Sequence, residues 1–158
     1  MITDTDRRFL VRAVELAERA LAAGDEPFGS VLVSPDGDVL LEDHNQVSGG
    51  DGTRHPELAI AQWAARSLEP AVRARCVVYT SGEHCAMCSA AHGWAGLGRI
   101  VYASSGEQLT RWAAELGLPD SPVAGLPIRA VVPGADVDGP DDELAERVRA
   151  LHAARAGR

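Results

Sequence analysis

Thr53-Arg54-His55-Pro56-Glu57, Cys76-Val77-Val78-Tyr79-Thr80 and Cys85-Ala86-Met87-Cys88 follow one another in the middle of the chain and set out a helix, a strand and a second helix. Pro56 suits the first position of a helix, which makes His55 the cap residue and places Glu57 in the first turn. That helix runs to about Leu68, with Pro70 ending it. Cys76–Thr80 is an apolar run of strand length, and a further helix covers about Cys85 to Ala95 before Gly96 and Gly98 release the chain. Helix, strand and helix in this order predict an α/β arrangement.

The same stretch carries the chemistry. A catalytic zinc keeps three protein ligands and leaves its fourth position for water, and one imidazole with two thiolates is such a set. His55, Cys85 and Cys88 supply it. Cysteines three apart at a helix start lie on one face, and the unpaired N–H groups there favour the thiolate that binds metal. Glu57, two residues past one ligand, is placed to reach a metal-bound water without occupying the metal. Two plainer readings compete: a redox pair, or a closed structural zinc site. A redox pair has no need of the upstream His-x-Glu, and a structural site wants a fourth ligand at finger-like spacing.

Working outward, helical spacing of Phe9, Leu10, Ala13, Val14, Leu16, Ala17, Ala20 and Leu21 predicts a first amphipathic helix stopped by Gly24. Phe28–Val33 and Val39–Leu41 flank Pro35-Asp36-Gly37-Asp38 and read as a hairpin. A polar, Gly-rich loop through Gly49, Gly50 and Gly52 follows. Beyond the cysteines, Arg99–Ala103 reads as a strand, Gln108–Leu116 as a helix, Ile128–Val132 as a fifth strand, and Pro140 to about Ala154 as a charged amphipathic helix. A helical crossover makes the last two strands parallel. The expected fold is one three-layer α/β/α domain over residues 1–158 with a five-stranded mixed sheet.

The chain has 158 residues, 46% hydrophobic and 24% charged, the profile of a globular protein with a sizeable core. A formal net charge of −8 argues against a general nucleic-acid surface. No apolar run is long enough for a membrane helix and the start lacks a signal pattern, so a cytoplasmic protein is expected. Cys76 is expected to be a reduced core residue.

Pro27–Val33, Asn45, His55-Pro56-Glu57, Cys85-Ala86-Met87-Cys88 and Val101-Tyr102-Ala103, together covering roughly residues 7 to 105, resemble the cytidine deaminase-like zinc deaminases. Within them they are similar to the branch that holds guanine deaminases and tRNA adenosine deaminases. The resemblance implies a Zn2+-dependent hydrolytic deaminase of a free amino-heterocycle, a guanine-type base or aminated triazine. Glu57 would be the catalytic proton shuttle for attack by zinc-activated hydroxide, with release of ammonia. Cytosine, cytidine or another nucleoside is the alternative substrate; tRNA editing fits the acidic chain less well, and a non-catalytic zinc protein would have no need of Glu57.

The resemblance also implies substrate contacts from Asn45, Phe28 and Pro56, and a homodimer or larger assembly. Asn45 is otherwise a turn residue and Phe28 otherwise core. Trp94 and Trp112 close the pocket or pack between helices or subunits, and Glu107 contacts substrate or caps its helix. The pattern departs from the family at His84, where proline usually precedes the first cysteine, and at His92, where an aliphatic residue is expected. His84 is then a pocket residue or a solvent-facing one; His92 is a fourth ligand or, more in keeping with its turn, a packing residue.

Overall fold

The computed structural model describes residues 1–157. Helix α1 (Asp4–Ala22) starts in a capping box, with Thr3 accepting from the Asp6 amide and the Asp6 carboxylate accepting from Thr3. Strands β1 (Gly29–Val33) and β2 (Val39–His44) form the antiparallel hairpin. Helix α2 (Pro56–Ser67), a short α3 (Pro70–Arg73), β3 (Val77–Gly82), α4 (Ala86–Ala95), β4 (Ile100–Ser104) and α5 (Gly106–Glu115) follow. The chain closes with α6 (Ile128–Val131), β5 (Val137–Asp138) and α7 (Asp142–Ala156).

The sheet order is β2-β1-β3-β4-β5, with β1 antiparallel to both neighbours and β3, β4 and β5 parallel. Helices cover both faces, because the central strands β1 and β3 are buried almost throughout and so need apolar partners on either side. On one face Val31, Val33, Tyr79, Val101 and Ala103 pack with Leu10, Val14 and Leu16 of α1, Trp112 of α5 and Leu144 and Val148 of α7. On the other, Leu32 and Val78 pack with Ile60 and Ala64 of α2 and with Cys76, a free and buried thiol. Gly29 sets how closely α1 approaches: a Cβ there would stand 2.4 Å from the Ala13 carbonyl oxygen and 2.5 Å from Leu16 Cβ.

The fifth strand is a correction. Ile128–Val131 is helical, and the strand that pairs parallel with β4 is Val137–Asp138. The apolar run Ile128–Val132 suits either period, and a distant group decides between them: the Ile128 amide donates to Glu83 Oε1 at 3.0 Å. The true strand is held by the Ile100 amide on the Asp136 carbonyl (2.9 Å) and by Asp138, which Arg99 Nη2 meets at 2.7 Å and the N-terminal ammonium at 2.5 Å. Arg99 also reaches Asp6 Oδ1 at 2.9 Å, and the Tyr79 hydroxyl donates to the same oxygen at 2.8 Å. This network ties the chain start to the sheet edge.

Candidate metal and proton-transfer site

The loop after β2 is closed by the Gln46 amide on the Arg54 carbonyl (3.0 Å), so the chain re-enters the sheet end at His55. Proline keeps the residue before it extended, and His55 (φ −91, ψ 139) caps α2 with Pro56 in the first turn. Its ring therefore projects from the helix start while Glu57 turns inward and is buried. From the other side, β3 delivers Cys85 as the extended cap residue of α4 and Cys88 one turn later, and α2 and α4 pack against each other. Glu83 braces this approach by accepting from the first amides of α5 (Gly106, 2.8 Å) and α6 (Ile128, 3.0 Å).

Cys85 Sγ and Cys88 Sγ each lie 3.6 Å from His55 Nδ1. All three donor atoms fall within 4.8 Å of one another. Tetrahedral bonds of about 2.0 Å to nitrogen and about 2.3 Å to sulfur separate two such donors by about 3.6 Å, so the three side chains fit one zinc ion. The cluster is suited to hold zinc. Among the described residues no other cluster of three such donors forms. The thiols share a proton: the hydrogen bond from Cys88, with help from His55, brings Cys85 down to about 4, while that bond and burial push Cys88 up. The Cys85 sulfur in turn raises His55. Zinc needs the neutral imidazole and both thiolates, so its binding releases protons and weakens as pH falls.

Glu57 sits under a polar bracket. Ser30 Oγ and Thr80 Oγ1 stand 3.0 and 2.9 Å from Glu57 Oε1, and 2.9 Å from each other. Ser30 and Thr80 are paired residues of β1 and β3, which brings both hydroxyls to one level of the sheet. Burial raises the carboxyl above its ordinary range and outweighs the opposing hydrogen bonds and the nearby His55. A buried carboxyl of raised pKa beside a metal ligand set can take up and return a proton.

Asn45 is fully buried; its Oδ1 accepts from the Glu26 (3.3 Å) and Val47 (3.1 Å) amides and its own amide donates to the Phe28 carbonyl (3.0 Å). Its Nδ2 has no partner. Phe28 is half-buried over Gly82, where a Cβ would stand 3.1 Å from Phe28 Cε1. Pro56 is buried in the first turn of α2. His84 does not face solvent: it is 2% exposed, neither ring nitrogen has a partner, and it meets His92 edge-on at 5.4 Å. His92 Nε2 bonds the Gly98 carbonyl at 2.8 Å, which makes it a packing residue and not a fourth ligand. Glu107 is exposed in the first turn of α5, and Trp94, 91% exposed, covers nothing in its own chain. Trp112 is buried in the α1 and α7 layer.

Three residues near the site escaped the sequence reading. Ser30 and Thr80 carried one signal, a small hydroxyl residue inside each of two buried strands. His152 of α7 carried none; its ring lies edge-on to Phe28, with centroids 5.2 Å apart.

The family described as the cytidine and deoxycytidylate deaminase zinc-binding region matches residues 3–104. A guanine deaminase of Bacillus subtilis is 38% identical over 115 residues, 72% of this chain and 70% of that protein. A probable cytosine deaminase of Schizosaccharomyces pombe is 32% identical over 119 residues, 73% and 70% of the two chains. The structure of a guanine deaminase from Nitrosomonas europaea superposes over 100% of this chain and 87% of its own with a TM-score of 0.70. At 19% identity, that last likeness speaks for the fold alone.

Proposed function

The chain belongs to the cytidine and deoxycytidylate deaminase family, and from that premise we propose that it hydrolyses the exocyclic amine of a free guanine-type base or a related aminated triazine. The observation that carries the reading is Glu57, buried on Ser30 and Thr80 next to the cluster of His55, Cys85 and Cys88.

Held by His55, Cys85 and Cys88, zinc would supply an activated water near neutral pH. Glu57 accepts one proton of the attacking water and passes it to the ring nitrogen beside the attacked carbon, then moves the second proton from the newly bonded oxygen to the amine, so that the C–N bond breaks, the carbonyl forms and ammonia leaves. The raised carboxyl pKa suits a group that must hold the proton between these steps. Ser30 and Thr80 keep it in one rotamer throughout. Asn45, whose Nδ2 has no partner within the protein, offers a donor to a ring nitrogen or carbonyl, and Phe28 and Pro56 offer apolar surface to the ring plane.

A guanine-type substrate is supported by the 38% identity to the Bacillus subtilis guanine deaminase. The 32% identity to a probable cytosine deaminase supports cytosine as the second reading. The net charge of −8 favours a free base over an RNA. The same reading includes a homodimer, supported by the exposed Trp94 on α4, and sedimentation equilibrium tests it.

The deciding experiment is ammonia release by the zinc-loaded protein from guanine, cytosine, cytidine, guanosine, adenosine and ammeline. Turnover of guanine or ammeline above the rest is the expected result. Preference for cytosine, or for any nucleoside, overturns the substrate assignment and leaves the chemistry in place.

A further inference from the structure

We propose that His152, carried by the chain's own C-terminal helix, is a substrate-binding and specificity residue that hydrogen-bonds the edge of the heterocycle through Nε2. This rests on the reading above, in which the substrate is a planar amino-heterocycle lying by Phe28.

The placement comes from three elements meeting at one end of the sheet. Phe28 precedes β1 and lies over Gly82, the last residue of β3, and Cys85 follows three residues later. Ser30, two residues beyond Phe28 and inside β1, holds Glu57. Helix α7 arrives at this end because Leu144 and Val148 bury it against α1, and because Arg155 bonds Glu26 at 3.0 Å. Glu26 belongs to the loop that enters β1, and its amide donates to Asn45 Oδ1. The last turns of α7, Asn45 and Phe28 are thus tied to the same four-residue loop, Asp25–Phe28.

Within that setting His152 is 3% exposed, edge-on to Phe28 at 5.2 Å and 6.3 Å from the Trp112 ring, and its Nε2 has no partner. A buried ring nitrogen without a hydrogen bond is costly, and a phenyl or aliphatic side chain would fill the same space without that cost. Asn45 Nδ2 is the other unpartnered polar atom attached to this loop. Two unsatisfied polar atoms, Asn45 Nδ2 and His152 Nε2, are tied to the loop that carries Phe28, and a flat ligand with polar edges suits such a pair. Burial, with Arg155 nearby, lowers His152 to about 4, so the ring is neutral at pH 7 and offers one donor and one acceptor. A neutral amino-keto ring has both complements; a charged phosphate has no use for them.

The test compares wild type with His152→Phe, which keeps a ring and deletes both nitrogens, and His152→Gln, which restores a polar end. Calorimetric binding of 8-azaguanine, steady-state kinetics on guanine, zinc content and thermal unfolding are measured for all three. The expected result is that the Phe variant holds one zinc, binds 8-azaguanine at least about tenfold more weakly and raises KM for guanine to match, with kcat within about threefold; the Gln variant recovers part of the loss. Unchanged affinity in the Phe variant overturns the proposal, as does an equal loss in both variants that tracks a fall in melting temperature. If wild type neither binds 8-azaguanine nor turns over guanine but deaminates another heterocycle, the guanine reading fails by itself, and the KM comparison on that heterocycle decides for His152.

Discussion

The two faces of the central sheet are buried to the same degree and built from opposite chemistry. Toward α1 and α7, β1 and β3 present Val31, Val33 and Tyr79 to a layer of leucine, valine and alanine. Toward α2 and α4 the same strands present Ser30 and Thr80, along with Leu32 and Val78, and the apolar cluster there is smaller. Alternation along a strand lets neighbouring residues serve opposite faces, so stability and reactivity are carried a single residue apart. The polar face gives up apolar contact in order to hold a buried carboxyl, a loss of stability common at reactive sites.

Four substitutions test this contrast between the faces. The largest effect is expected for Glu57→Gln, which should lower kcat by roughly 10²–10⁴-fold with zinc content unchanged, read by ammonia release and metal analysis. Retained turnover would remove the proton shuttle from the polar face. On the apolar face, Leu10→Ala deletes a side chain with no exposure and should destabilise the fold by about 2–5 kcal/mol in denaturant unfolding, with unaltered kcat per folded molecule.

His152 links stability to pH. Its pKa falls from an ordinary 6.5 to about 4 on folding, chiefly through burial and then through Arg155. Between those values the unfolded chain binds more protons, so this contribution is complete above about pH 6.5 and is lost as pH falls toward 4. His152→Phe should flatten that acid limb by on the order of 2–3 kcal/mol, seen as denaturant midpoints measured from pH 7 to 4. The smallest effect is expected for Thr80→Val, which keeps volume and deletes one hydroxyl beside Glu57: about tenfold in kcat and under about 1 kcal/mol in stability. A stability loss as large as that of Leu10→Ala would show the polar bracket to be structural.

Much of this was legible before any coordinates. Pro56 and Gly96 mark a helix start and stop by backbone chemistry alone, and Gly96 adopts the left-handed conformation (φ +66) that glycine permits. The hairpin was legible from its turn residues, and the ligand set from spacing, because its members lie at helix starts whose geometry is local. The failures share another property. Ile128–Val132 reads equally as strand or helix, and the choice falls to Glu83, forty-five residues earlier. Nothing in a two-residue strand such as Val137–Asp138 announces itself; its pairing with β4 and the Arg99–Asp138 ion pair hold it at the sheet edge.

The chemistry is written locally in the chain: one imidazole, two thiolates and a carboxyl, each placed by the turn or cap it occupies and by the three-layer fold that hydrophobic periodicity demands. Their surroundings come from long-range packing: the Ser30 and Thr80 bracket under Glu57, the burial of His84 against His92 and the arrival of His152 beside Phe28. The physical reason is range. Caps and ligand spacings act within a helical turn or two, whereas burial, orphaned nitrogens and shifted pKa values arise where segments distant in the chain exclude water together.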